Sequence, residues 1–369
     1  MNPKRRQFLT RTSLGIAALG LGACASTPAP ARPRTGPDAI VDAAFTGKPG
    51  TPVDGKPVFS RIGDALEAAA SGWQILVRPG RYVEKLNVSQ SGIHLLGEDR
   101  DRTILSFDAY AGQTRPGGTG TWGTAGSATL TLLARDFTAE NLSIENSFDY
   151  PANLAKGSTD PTYIRNAQAV AVYIAEPADR SLFRNVKLTG YQDTLFAHAG
   201  RSLFENCFIN GNVDFIFGSG QAWFETCEIS VRSGGRKQKP IGWLTAPSTP
   251  ISKKYGFVFN RCRMTREADV PDASVRLGRP WHPSGDPDAI GQSVFLDCWM
   301  DAHIASEGWD AMSSTTKSGS KVTFLPEDSR FFEYRSTGPG AAINPQRRQL
   351  DESKRAEFSR EKVLAGWQA

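Results

Sequence analysis

Histidine, cysteine and methionine are scarce in this 369-residue chain, at four, five and four. No Cys and His stand close enough together to make the paired ligand spacing of a zinc finger or ribbon, so that class is excluded. Asn-Gly, the strongest two-residue hairpin signal, occurs once, at Asn210-Gly211. A β-sandwich built on regularly spaced hairpins is therefore disfavoured. What the chain has in quantity is 36 Gly, 23 Pro and 20 Phe, a mix that suits many short strands and tight turns better than a helical bundle. Hydrophobic residues at 39% and charged residues at 22% exclude a disordered polymer.

The formal charge of +5 is not a nucleic-acid signal. Lys4, Arg5, Arg6 and Arg11 lie in residues 1–23, and Arg32 and Arg34 follow in a Pro-rich stretch. Without those six, the rest of the chain carries 37 basic residues against 38 acidic ones. Arg5-Arg6-Gln7-Phe8-Leu9 resembles a twin-arginine export signal. The apolar stretch Leu14 to Ala23 is too short to span a bilayer as a permanent helix. Leu21-Gly22-Ala23-Cys24 resembles a bacterial lipobox, which implies cleavage before Cys24 and lipidation of that cysteine. The expected organisation is a leader over 1–23, a tether over 24–37 that begins with Cys24, and one domain over 38–369. The protein is expected to be an exported, membrane-anchored lipoprotein of a bacterium, a monomer, and not a nucleic-acid binder.

The body repeats. Phe204-Glu-Asn-Cys207, Phe224-Glu-Thr-Cys227, Phe259-Asn-Arg-Cys262 and Phe295-Leu-Asp-Cys298 share one pattern, Phe183-Arg-Asn-Val186 is a fifth copy, and 137–144 is read as a looser sixth. The steps between the phenylalanines are 21, 20, 35 and 36 residues. A period near 20, made of short strands without amphipathic helices between them, indicates a solenoid. The fold expected is all-β: a single right-handed parallel β-helix in which the longer steps are coils with inserted loops. Residues 57–70, with apolar positions at Phe59, Ile62, Leu66 and Ala69, are predicted to form a capping helix at one end. Residues 350–364 are predicted to form a C-terminal surface helix.

Equivalent residues of successive coils stack about 4.8 Å apart, within the Cα separation of a disulfide. Cys207 and Cys227, one coil apart, are therefore expected to pair, with Cys262 and Cys298 a second candidate pair. The alternative is a ladder of buried thiols.

The same counting places Asp193 ten residues after Phe183 and Asp214 ten after Phe204. Two carboxylates so close do not both ionise freely. An ionised nucleophile beside a neutral acid is what acid-assisted displacement requires, although an Asp ladder on a solenoid also suits a cation. The flanking motifs separate these readings. Gly190-Tyr-Gln-Asp-Thr-Leu195, Gly211-Asn-Val-Asp-Phe-Ile-Phe-Gly218, Leu277-Gly-Arg-Pro-Trp281 and Gln168-Ala-Val-Ala-Val-Tyr173 together resemble the pectin methylesterases (pectinesterases). Pro79-Gly-Arg-Tyr-Val-Glu-Lys85 and the terminal Leu364-Ala-Gly-Trp367 extend the likeness over most of 38–369.

The resemblance implies hydrolysis of methyl esters of homogalacturonan, without metal or other cofactor. It implies Asp214 as nucleophile, Asp193 as acid/base, Gln168 and Gln192 as oxyanion donors, and Arg279 as the partner of the nucleophile. Trp281, Phe217 and Tyr173 match positions that line the sugar groove. Phe196 stands where many relatives carry Tyr. The loops 112–126 and 146–166 are read as rims of the groove. Readings in competition are an esterase or thioesterase of the same fold acting on another acyl group, a β-helical glycosidase or lyase, and a non-catalytic polysaccharide-binding protein. One feature resists a simple strand: Gln192 and Asp193 are adjacent, so regular alternation sends them to opposite faces.

Overall fold

The computed structural model describes residues 36–368, so the leader, Cys24 and most of the tether lie outside the described residues. From Pro37 onward the chain forms one compact unit. It is a right-handed parallel β-helix with three long faces. One face is a twelve-stranded sheet, the second an eight-stranded sheet and the third a seven-stranded sheet. Nearly all pairings are parallel and in register.

The seven-stranded face consists of Leu86–Val88, Leu130–Leu132, Val172–Ile174, Leu195–Ala197, Ile216–Gly218, Gly242–Pro247 and Val275–Gly278. Strands this short suffice because the five inner ones are paired on both sides and the face buries its inward side chains against the other two.

Phe183, Phe204, Phe224, Phe259 and Phe295 are register partners from coil to coil. Their rings stack at 4.4–4.7 Å and 7–9° along the interior. The ring spacing equals the strand spacing because in-register parallel strands repeat the same rotamer. The sixth copy is shifted: Ala139, not Phe137, pairs with Phe183. The repeat unit there is Ala139-Glu-Asn-Leu142, and Phe137 meets Phe183 only at a tilt, at 5.9 Å.

A corner follows each of these strands. Asn141, Asn185, Asn206, Thr226, Arg261 and Asp297 all have φ between 50° and 54°. One left-handed residue at this corner of each coil turns the chain from one face to the next. Asn and Asp tolerate this conformation best, and Asn185 also donates its amide to Asn141 at 2.7 Å.

The residue after each corner points inward, and this settles the cysteines. Cys207, Cys227, Cys262 and Cys298 are free and buried, so the expected Cys207–Cys227 disulfide is not formed. Each thiol donates instead to a carbonyl of the preceding coil. Cys207 reaches Phe183 O at 3.4 Å, Cys227 reaches Phe204 O at 3.4 Å, and Cys262 reaches Phe224 O at 3.4 Å. In-register stacking keeps neighbouring side chains parallel at about the strand spacing, whereas a disulfide needs Cβ atoms converging to about 3.8 Å. The Phe-x-x-Cys pattern is therefore a ladder of small buried donors.

The first coil is closed by the helix Ile62–Ala68, which puts Ile62, Ala65 and Leu66 into the core. It is shorter than predicted, because Lys56–Phe59 is a strand paired with Ala39–Val41. The buried carboxylate of Glu84, from the next coil, accepts from Ile62 N at 2.8 Å and Gly63 N at 2.9 Å, satisfying two amides that have no partner within that helix. The predicted C-terminal helix is instead two short ones, Glu352–Arg355 and Arg360–Val363, capped by Asp351 and Ser359. They lie along the outer side of the twelve-stranded sheet, packing Phe358, Val363 and Leu364 on Leu203, Trp223 and Val258.

Candidate active site

Asp193 and Asp214 lie in the turns that lead into Leu195–Ala197 and Ile216–Gly218. Leu195 and Ile216 are register partners, so the aspartates two residues earlier occupy the same place in successive coils. Asp193 N donates to Val213 O at 3.1 Å. Both aspartates have left-handed backbone, with φ of 66° and 50°. That breaks strand alternation, and it is how adjacent Gln192 and Asp193 avoid being split between interior and exterior. The inward positions after the aspartates go to Thr194 and Phe215, both fully buried. Gly211 allows the second turn: a Cβ there would lie 2.3 Å from Phe215 Cβ and 2.6 Å from Tyr191 O.

The two aspartates are each only 7% exposed, and their carboxyl groups have different surroundings. Arg279 grips Asp214 with two bonds, Nε to Oδ1 at 2.8 Å and Nη2 to Oδ2 at 2.6 Å. Asp193 has no such clamp. Burial, with Asp214 beside it, pushes the Asp193 carboxyl well above the usual carboxylate range, against a smaller opposing pull from Arg279. Burial opposes the charge of Arg279, but pairing with Asp214 outweighs it and the guanidinium is held more firmly protonated than usual. The site thus pairs an anion fixed by a cation with a carboxyl biased toward its neutral form.

Gln168 and Gln192 are half-buried and lie outside the coil interior. Their turns are adjacent, since Ala169 N donates to Gln192 O at 3.2 Å. Tyr173, Phe196 and Phe217 form an outward column, stacked at 4.6 and 4.2 Å. In the next coil the column continues with Ala246, the register partner of Phe217. The small side chain leaves room for Trp281, whose ring meets Phe217 edge-on at 5.6 Å. Phe217 is almost covered, whereas Tyr173 and Trp281 are partly open to solvent.

Both predicted rims are present. From the loop over 112–126, Ala125 packs against this aromatic cluster, and Trp122 lies under Lys85 Nζ at 4.9 Å. From the loop over 146–166, Tyr150 stacks on Tyr191 at 5.3 Å. Arg232 covers Tyr191 at 3.8 Å and donates to Gly190 O at 3.1 Å, so the turn holding Gln192 is pinned from two sides. A third wall was not anticipated: the hairpin Met312–Thr315 with Lys321–Phe324 stacks Phe324 on His282, next to Trp281. Sequence reasoning also missed Trp243, whose ring lies 3.8 Å from the Arg279 guanidinium carbon. Long loop insertions on both sides of Trp243 hide its place in the repeat. The signal available was its position two residues before the Thr245–Ile216 register pair.

A parallel β-helix that carries a clamped aspartate, a neighbouring buried carboxyl, two side-chain amides and a row of aromatic rings on one outer face has the build of a carbohydrate-active hydrolase. The comparisons narrow that class. The chain belongs to the pectinesterase family, whose model matches residues 51–361. It is 44% identical over 328 residues to Pectinesterase A of Dickeya dadantii, covering 85% of this chain and 88% of that protein. A crystal structure of a pectin methylesterase in complex with a hexasaccharide superposes with a TM-score of 0.85 at 44% identity, covering 91% of this chain and 99% of that one. The pectin methylesterase of Yersinia enterocolitica superposes with a TM-score of 0.82 at 46% identity, over 84% of this chain and all of that one.

Proposed function

We propose that this protein hydrolyses the methyl esters of polygalacturonate, releasing methanol and leaving pectate. The observation that carries the reading is the asymmetry of the dyad: Asp214 held by two bonds from Arg279, Asp193 buried and biased toward its neutral form. A carboxylate oxygen of Asp214 attacks the C6 ester carbonyl, and the amides of Gln168 and Gln192 donate to the oxygen that becomes negative. As the C–O bond to the methoxy group breaks, Asp193 gives its proton to the departing oxygen and methanol leaves. The sugar acid is then joined to Asp214 as an acyl anhydride. Asp193, now a carboxylate, takes a proton from water; the resulting hydroxide attacks the acyl carbon, and Asp214 leaves as a carboxylate. Both groups return to their starting protonation states. Tyr173 and Trp281 offer ring faces to sugars, with Phe217 backing them.

The deciding experiment measures methanol release from highly methylated pectin by the full chain, with Asp214→Ala as control. Release that depends on Asp214 is expected. Turnover of an acyl ester or thioester without release from pectin would redirect the reading to another substrate, and binding without turnover would make the protein a polysaccharide-binding module.

The same proposal includes residues 1–23 as an export leader and 24–37 as a tether fixed to a bacterial membrane through a lipid on Cys24, with the β-helix acting as a monomer. Motifs in 1–24 support the leader and the lipid anchor. Incorporation of labelled fatty acid that is lost in Cys24→Ser is the expected result, and equal incorporation in the variant would overturn it.

A further inference from the structure

The grip of Arg279 on Asp214 is itself supported from behind. Gly278 and Trp309 form a parallel bridge, which places Asp310 opposite Arg279 in the next coil, and Asp310 N donates to Gly278 O at 3.1 Å. Asp310 does not bond the guanidinium directly. Its Oδ2 accepts from the indole Nε1 of Trp243 at 3.1 Å, and its Oδ1 accepts from Ala311 N at 2.9 Å. Trp243 is buried, and its ring lies under the Arg279 guanidinium at 3.8 Å. The support therefore runs from Asp310 to the Trp243 edge, from the Trp243 face to Arg279, and from Arg279 to both oxygens of Asp214.

We propose that Trp243 and Asp310 are positioning residues that hold the Arg279 guanidinium coplanar with the Asp214 carboxylate. This rests on the reading of Asp214 as nucleophile. A planar guanidinium keeps both bonds only in one orientation. Two of its edge donors are committed to Asp214, so its faces are the surfaces left for support, and an indole face attracts a cation. A hydrogen bond from Nε1 to a carboxylate fixes the ring and adds electron density to it. The carboxyl groups around the guanidinium are Asp214, Asp310 and Asp193, and Asp310 is the one that acts on it through the Trp243 ring.

The test compares the full chain with Trp243→Leu, Trp243→Phe, Asp310→Asn and Asp214→Asn, measuring kcat and KM on methylated pectin across pH, with circular dichroism to confirm folding. Trp243→Leu is expected to lower kcat about tenfold, as loss of one buried cation–ring contact would. It should leave KM within about twofold and move the acid limb of kcat/KM to higher pH. Trp243→Phe keeps a ring face and should retain about a third of kcat or more. Asp310→Asn should lower kcat by a smaller amount, again with KM within about twofold.

The proposal is overturned if Trp243→Leu leaves kcat and the acid limb unchanged, or if Trp243→Phe is as damaged as Trp243→Leu. If Trp243→Leu does not fold, Asp310→Asn decides, and an unchanged kcat in that variant overturns the proposal. An active Asp214→Asn would sink the nucleophile reading itself. An inactive Asp214→Asn beside an unaffected Trp243→Leu would sink only the positioning role.

Discussion

Asp193 and Asp214 sit at the same place in successive coils, both with left-handed backbone, and differ in what faces them: Arg279 bonds Asp214 twice and Asp193 not at all. Identical backbone position with opposite electrostatic surroundings is how two like residues take different protonation states.

Burial raises the pKa of Asp193, so its ionisation is disfavoured in the folded chain. Below about pH 4 the carboxyl is protonated in folded and unfolded chains alike and costs nothing. As pH rises above that, the unfolded chain loses the proton first, and stability falls until the folded group also ionises. Asp193→Asn, neutral at every pH, should therefore raise stability at pH 7 while abolishing turnover. Denaturant melts at pH 4 and pH 7 check this: the gain is expected at pH 7 and should nearly vanish at pH 4.

Arg279→Lys keeps the charge but not the two-pronged geometry. A point ammonium replaces two parallel bonds with one, so kcat should fall by about two orders of magnitude with a much smaller change in KM. Steady-state methanol release distinguishes this from a simple charge requirement, under which Lys would restore most of the rate.

The four cysteines of the β-helix are thiols donating to carbonyls one coil back, and burial pushes Cys207, Cys227 and Cys262 well above the ordinary thiol range. Without reductant, the folded protein should react negligibly with a thiol reagent, and denaturant should reveal all four together with Cys24 if that residue is unmodified. Detection of two fewer thiols would indicate a disulfide after all.

His303 is fully buried, and neither ring nitrogen has a hydrogen-bond partner among the described residues. Burial lowers its pKa from 6.5 to about 4. A depressed folded pKa means the unfolded chain takes up the proton first on acidification, so stability present above pH 6.5 is lost as pH falls toward 4, by up to roughly 3 kcal/mol. Melting His303→Gln and the parent between pH 7 and 4 tests this: the parent should lose more stability over that range than the variant.

Much of the site was legible because a solenoid turns sequence spacing into spatial stacking. Counting from Phe183 and Phe204 was enough to bring Asp193 and Asp214 together, and the register of Leu195 with Ile216 agrees. Counting failed where coils carry insertions. Trp243 lies in the 35-residue step, Asp310 follows the 36-residue step, and the hairpin over 312–324 has no counterpart in other coils. It also failed for the sixth repeat, where Phe137 attracted the pattern and Ala139 holds the register. The cysteines were placed correctly in neighbouring coils and wrongly joined, because proximity of Cα atoms does not make Cβ vectors converge.

The sequence by itself determined the coil period, the inward phenylalanine column, the closeness of the two aspartates and the residue types around them, because each follows from a repeat length that parallel pairing converts to one strand spacing. Only the tertiary structure decided what that repeat cannot encode. The left-handed turns at Asp193 and Asp214 set which way the carboxylates face. Contacts across 65 residues set which aspartate receives Arg279. Burial of Asp193 and support of Arg279 by Trp243 arise from loops and coils that meet only after folding, and protonation state depends on those surroundings rather than on residue type.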